Sequence, residues 1–169
     1  TYLKSHAFGN ATWPDLVGVL DALTEVDLVA WSRAWVDEPG RPAIATDLVV
    51  EGGRIRRLAF RQTDPGGRAL VWPEILRVDI GLADGVKSFP VRIEGGETPV
   101  PEAAGLPAPL WVLPVGGGLG YGAFTLDPAT LDYVTGRLHA LPDALARGAA
   151  SVALWEAMLD GQVAVPRVQ

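Results

Sequence analysis

The side chains able to do chemistry are few in this chain, and their spacing assembles no familiar machinery. His6 and His139 are the two histidines and stand far apart in sequence. A catalytic zinc site takes three protein ligands, commonly with two His on one helix face, and no His-Glu-x-x-His is present. With no cysteine, thiolate metal ligands, thiol nucleophiles and disulfides are excluded. Ser5, Ser32, Ser88 and Ser151 lack the Gly-x-Ser-x-Gly elbow of an activated serine. Asp79, Asp84, Glu94 and Glu97 fall on strand-like alternation or at turns, the pattern of a solvated face rather than an acid/base pair. The run Gly116-Gly117-Gly118-Leu119-Gly120-Tyr121-Gly122 suggests a phosphate cradle. It has no Lys-Ser or Lys-Thr, however, and strand-like Phe124-Thr125-Leu126 follows where a helix should. A loop between two strands is the expectation. Six tryptophans offer a carbohydrate platform, but Trp31 and Trp35 share one helix face, while Trp72 and Trp111 read as strand core. Catalytic, cofactor-binding and metal-binding residues are therefore expected to be absent, and these residues alone disclose no chemistry.

The elements that would position such groups are clearer. The 169 residues are 49% hydrophobic and 20% charged, enough to bury a sizeable core. Glycine and proline (20 and 14) make up about a fifth of the chain, a turn-rich β composition. A net charge of −6 argues against a nucleic-acid partner, and no apolar run reaches the ~18 residues of a membrane span.

Three parts follow in order. Residues 1–42 read as helical. Thr12 caps a helix with Pro14 and Asp15 in its first turn and Leu16, Leu20 and Leu23 at helical spacing. A second start is expected at Thr24, with Asp27 three residues on and a stripe of Leu28, Trp31 and Trp35, closed by Pro39-Gly40. Residues 43–127 carry short β-branched runs separated by Gly52-Gly53, Asp64-Pro65-Gly66-Gly67, Asp84-Gly85 and Glu94-Gly95-Gly96. About seven strands at this spacing predict a mainly β, immunoglobulin-like sandwich between helical segments. The alternation slips between Ile55 and Leu58, which predicts a bulge. Leu76, Val78 and Ile80 alternate with Arg77 and Asp79, predicting one wet face. Pro90 predicts an edge strand. Residues 128–169 return to helix. Asp127-Pro128 starts one, with Leu131, Val134, Leu138 and Leu141 in period. Pro142 starts another, with a stripe of Leu145, Ala149, Val152, Trp155 and Leu159 that Leu154 and Met158 widen. The apolar tail Val163 to Val168 has no evident partner. Such helices cannot bury their stripes unaided, so they are expected to pack mainly on neighbouring domains, and the bare stripes Leu28/Trp31/Trp35 and Val152/Trp155/Leu159 to drive self-association.

Three stretches resemble the aminopeptidase-N-type zinc metallopeptidases (the gluzincin aminopeptidases). Tyr2-Leu3-Lys4, Phe8-Gly9-Asn10-Ala11-Thr12 and Asp15-Leu16 look like a "Tyr-Leu … Asn-Ala-Thr … Asp-Leu" segment late in that family's catalytic domain. Asp27-Leu28, Trp35-Val36 and Gly40-Arg41-Pro42 look like its "Trp … Gly-x-Pro" close. Gly120-Tyr121-Gly122-Ala123-Phe124-Thr125-Leu126-Asp127 is similar to the strand ending its β-sandwich domain, with Gly122 and Ala123 departing from the usual Tyr-Arg. Arg147 and Trp155 to Gly161 look like the first helices of its helical C-terminal domain. The resemblance implies a parent hydrolase that uses zinc to remove N-terminal residues from peptides, with its His-Glu-x-x-His and other catalytic motifs upstream of Thr1. The chain, which begins without Met, is then expected to be an interdomain fragment without activity of its own and without a cofactor, partnered by the parent's remaining domains. A cytoplasmic, bacterial parent is the expectation, the latter from 12 Arg against 2 Lys amid abundant Ala and Gly. The alternative is a free-standing sandwich module that binds protein or carbohydrate.

Overall fold

The computed structural model describes residues 2–163, so most of the apolar tail lies outside the described residues. It forms two compact units, one up to Gly40 and one from Arg41 onward.

The first unit is helical: α1 (Tyr2–Ser5), α2 (Trp13–Asp21) and α3 (Leu28–Ser32), the last widening into a π turn over Arg33–Asp37. Thr12 caps α2 in a reciprocal box: the Asp15 amide donates to Thr12 Oγ1 (3.4 Å) and the Thr12 amide to Asp15 Oδ2 (2.8 Å). The burial of α2 centres on Val17, not on the Leu16/Leu20/Leu23 line, and Leu20 and Leu23 are exposed. The second helix starts later than Thr24. Asp27 is its cap, accepting from the Ala30 amide at 2.8 Å, while Thr24 Oγ1 holds the preceding turn through the Val26 amide. The Trp31 and Trp35 rings stack at 6.3 Å and Leu28 is half-buried beside them. Trp13 Nε1 donates to Ser32 Oγ at 2.7 Å, which gives the buried Ser32 side chain a partner.

The second unit is a four-plus-three sandwich of seven strands. Strands β1 (Ala43–Glu51), β2 (Arg54–Thr63), β5 (Glu97–Pro99) and β7 (Ala123–Thr125) form one sheet in the order β5-β2-β1-β7. Strands β3 (Glu74–Leu82), β4 (Gly85–Ile93) and β6 (Trp111–Leu113) form the other, in the order β4-β3-β6. Relative to the constant-type immunoglobulin arrangement, β4 pairs with β3 rather than β5, and β7 runs parallel to β1 instead of beside β6. Gly52 and Gly53, both at positive φ, turn β1 into β2. The bulge falls where the alternation slips: Val50 pairs with Ile55 and Val49 with Arg57, leaving Arg56 as the extra residue. That extra residue lets Ile55 and Leu58, three apart, both reach the core. Ile44, Phe60, Leu76, Val78, Ile80, Ile93 and Val112 complete the core between the sheets. Pro90 sits on β4, an edge strand, as its missing N–H requires.

Two helices cover the outer side of β6. Asp127 caps α4 (Pro128–Arg137), accepting from the Ala129 and Thr130 amides at 3.1 Å. The last helix, α5 (Ala144–Leu159), starts two residues after Pro142, and Asp143 lies before its first turn as the cap, accepting from the Leu145 amide. Along β6 the side chains alternate: Val112 enters the sandwich, while Trp111 and Leu113 pack with Leu126, Val134, Leu141 and Leu154 of the helical layer. Thr130 Oγ1 accepts from the Val112 amide at 2.8 Å, closing an edge-strand donor that would otherwise be orphaned. The face of β3 expected to be wet is therefore dry at one end: Asp79 and Gly81 are buried, while Ile75 and Arg77 stay exposed.

Helix α5 leaves bare the Val152/Trp155/Leu159 stripe, as expected, and packs through a different face. The side it buries is Ala146, Ala150, Ala153, Leu154 and Ala157, while Leu145, Val152, Trp155 and Leu159 face outward at 57–70% exposure. Alanines let a helix backbone approach its neighbour closely, and the large side chains must then point away. Packing on the sandwich and on α4 thus uses the small face of α5 and leaves the large one bare.

Trp111 lies so close to β3 that a Cβ on Gly81 would meet its ring at 2.1 Å. Gly81→Ala is expected to cost about 1–3 kcal/mol by overpacking. Urea unfolding checks this, and loss of helical signal at lower urea than sheet signal would show the α4/α5 layer loosening first.

Candidate functional site

The most elaborate polar arrangement centres on Asp79, only 2% exposed. Arg77 grips it in a two-point fork, Nε to Oδ1 and Nη2 to Oδ2, both at 3.0 Å. Ser88, directly opposite in the β3/β4 register, donates its hydroxyl to Oδ1 at 2.6 Å. Arg77 Nη2 also lies 3.5 Å from Asp143 Oδ2, the residue that caps α5. One buried carboxylate thus ties β3, β4 and the start of α5 together. The loop after β6 closes over it: the Gly116 amide donates to Arg77 O at 2.9 Å, and a Cβ on Gly116 would meet Asp79 at 2.0 Å.

The glycine run joins β6 to β7, as its sequence context predicts. Its glycines answer packing, not phosphate. A Cβ on Gly120 would meet Val115 and Leu76 at 2.8 and 3.0 Å, and one on Gly122 would meet Pro42 O at 3.0 Å. The loop is pinned from below, where the Tyr121 amide donates to Glu74 Oε2 at 3.0 Å. Between this loop, β7 and α5 runs an apolar groove of about 180 Å³, lined by residues that include Leu113, Val115, Phe124, Ala149 and Val152, with Glu156 at its edge. Glu156 is held by Arg41. The outward row of α5 continues the groove.

The remaining candidates scatter. His6 packs on Tyr2 with ring centroids 4.9 Å apart, and His139 is exposed in the turn after α4. Among the described residues no three His, Cys, Asp or Glu cluster as a metal would require, so this donor set does not fit zinc. Asp84, Glu94 and Glu97 are exposed, Glu97 bonding Arg57 at 2.7 Å; Asp79 alone departs from the solvated face expected for the four. Ser88 serves Asp79, Ser32 accepts from Trp13, and Ser151 donates to Arg147 O. Trp72 and Trp111 are core residues, and Gln62 satisfies both the N–H and the C=O of Trp72. Sequence reasoning missed the Asp79–Arg77–Ser88–Asp143 cluster because it needs the β3/β4 register. The readable hint was Gly81, a residue too small for the solvated face to which alternation assigned it.

The fold and the site together define a sandwich with a helical layer, whose polar cluster joins elements and whose groove and helix row are apolar. No protein-family model matches the chain. Over 96% of its length it is 30% identical to aminopeptidase N of Streptomyces lividans, covering 20% of that protein. Aminopeptidase N of Lactococcus lactis subsp. lactis matches at 25% identity over 56% of the chain and 11% of the relative. The enzyme of the same name from subsp. cremoris MG1363 matches at 26% over the same shares. The chain matches a segment of an aminopeptidase N-type protein and spans about a fifth of the length of its Streptomyces relative.

Two measurements test this site. Asp79→Ala is expected to lower stability by about 2–3 kcal/mol. Arg77→Met should do more damage, because it strands a buried charge, whereas the half-exposed Arg77 can turn to solvent when Asp79 is lost. Denaturant midpoints rank the two, and equal or reversed losses would contradict the network.

Acid provides the second measurement. Arg68 beside Asp64, helped by the Gly66 and Arg68 amides, holds the Asp64 carboxyl well below the usual range. Its contribution is full above about pH 4 and is lost as pH falls. Burial pushes Glu74 upward, so Glu74 subtracts stability as pH rises through its raised pKa. From pH 6 down to pH 3, melting temperatures should fall less for Asp64→Asn than for the parent sequence. Glu74→Gln should gain on the parent sequence toward pH 6.

Proposed function

We propose that the chain is a non-catalytic interdomain segment of a zinc-dependent aminopeptidase that removes N-terminal residues from peptides. On this reading residues 1–42 close a catalytic domain, 43–127 form the sandwich that spaces it from its neighbour, and 128–169 open a helical domain. The observation that carries it is the match to aminopeptidase N over 96% of this chain and 20% of the relative. What the chain contributes is geometry. The fork on Asp79, the pinned glycine loop and the close-packed alanine face of α5 hold the helices at a fixed angle to the sheets. The chain supplies no ligand set for zinc among its described residues, so the zinc chemistry would reside in the rest of the polypeptide.

Hydrolysis of alanine p-nitroanilide tests the reading. The 169-residue chain should release no p-nitroaniline with or without added zinc. The polypeptide expressed from the complete reading frame should release it and lose activity to a chelator. Zinc-dependent turnover by the 169-residue chain, or an inert complete polypeptide without an encoded His-Glu-x-x-His, sinks the proposal.

A further inference from the structure

Among the described residues the sandwich has one long open edge. Of its edge strands, β5 and β7 have three residues each, and β6 is covered where Thr130 Oγ1 accepts from the Val112 amide. Strand β4 has nine residues and pairs with β3 along its whole length without a register shift, so no bulge turns its free side away. The hydrogen bonds of β3 show which atoms face that side. Arg77 O accepts from the Gly116 amide and Gly81 O from the Leu110 amide, both on the flank of β3 where β6 lies. The backbone groups of these two residues therefore point away from β4, and they form non-hydrogen-bonded pairs with Pro90 and Val86 across the ladder. It follows that the backbone N and O atoms of Val86, Ser88, Pro90 and Arg92 point out of the sheet, into the open edge. An unbroken row of this kind is a template for another strand.

Two residues break the row. Pro90 has no N–H to offer at its middle, and with its N turned outward the ladder to β3 stays intact. Lys87 stands opposite Ile80, on the side of β4 that sends Val91 and Ile93 into the core, yet it is exposed at the rim. A strand added beside β4 would cover the Lys87 ammonium and take it out of water. We propose that Pro90 and Lys87 guard this edge against strand addition, and that the partner they exclude is β4 of a second copy of the chain. A strand laid antiparallel to its own copy closes a two-fold pair in one step. That pairing would run Phe89, Val91 and Ile93 of one copy beside those of the other and join two cores, the gain that has to be opposed. Against it stand a missing N–H from each copy and two ammonium groups brought onto one face of a continuous sheet.

Hydrogen exchange resolved to single amides tests this at β4 itself, independently of any other surface. In the parent sequence the outward amides of Val86, Ser88 and Arg92 should exchange quickly, at rates independent of protein concentration. The inward amides of Lys87, Phe89 and Val91, directed at β3, should be slow. In Pro90→Thr combined with Lys87→Val, the outward amides should become at least roughly tenfold slower as concentration rises, with a dimeric mass. The inward amides should stay slow and so show that β4 is still in place. Lys87→Val alone, which leaves the backbone untouched, should show the same slowing at higher concentration. Protection of Val86 and Ser88 that grows with concentration in the parent sequence overturns the proposal, because the edge then pairs despite both residues. Outward amides that stay fast in both folded variants overturn it as well, because neither residue is then what keeps the edge open.

Discussion

A carboxylate taken out of water must be answered by charge and hydrogen bonds, and in this fold Asp79 imposes that demand. The answer comes from three directions. Arg77 on the same strand forks onto it, Ser88 reaches across from β4, and the Gly116 backbone lies over it because no side chain would fit. Arg77 then has enough reach left to face Asp143, whose main role is to cap α5. The sheet, the glycine loop and the last helix therefore share one electrostatic constraint. Had the face of β3 been wet, as alternation suggests, each of these elements would have been free to settle independently.

The same economy of small residues operates on both sides of α5. Gly81 admits Trp111 to the surface of β3, and Trp111 in turn supplies the floor on which Ala146, Ala150 and Ala153 rest. Close approach there excludes the larger residues of the helix, so Leu145, Val152, Trp155 and Leu159 are displaced to the opposite face. An exposed apolar row of this length costs solubility unless it is covered. Its presence is thus a consequence of how tightly the other face packs.

Local features were legible in the sequence because local chemistry decides them. Thr12, Asp127 and Gly52-Gly53 act within a few residues, and each performs the capping or turning role its type predicts. The bulge was legible because Ile55 and Leu58 could not both be buried without it. The second helix start was misplaced because Thr24 and Asp27 both offer a capping oxygen, and only the fold shows which one meets the free amides. The bare stripe of α5 was legible as apolar residues without a partner, whereas the alanine face that packs in its place was not. Hydrophobicity ranks leucine and tryptophan above alanine, but a helix against a crowded strand is selected by size as well. Asp79 was misread because a period-two pattern cannot tell a solvated face from one covered by another layer.

The six tryptophans bear on the alternative of a sugar-binding module. Within the sandwich unit, Trp72 and Trp111 are sealed in, and Trp72 has its backbone polar groups taken by Gln62. Trp155 alone of the three is open, at 60% exposure. It stands in a row with Val152 and Leu159, all three exposed on one side of α5. A carbohydrate platform needs an aromatic face together with polar partners. The open surface of α5 is apolar along its length, so its one exposed tryptophan sits among aliphatic neighbours and not on a separate aromatic face.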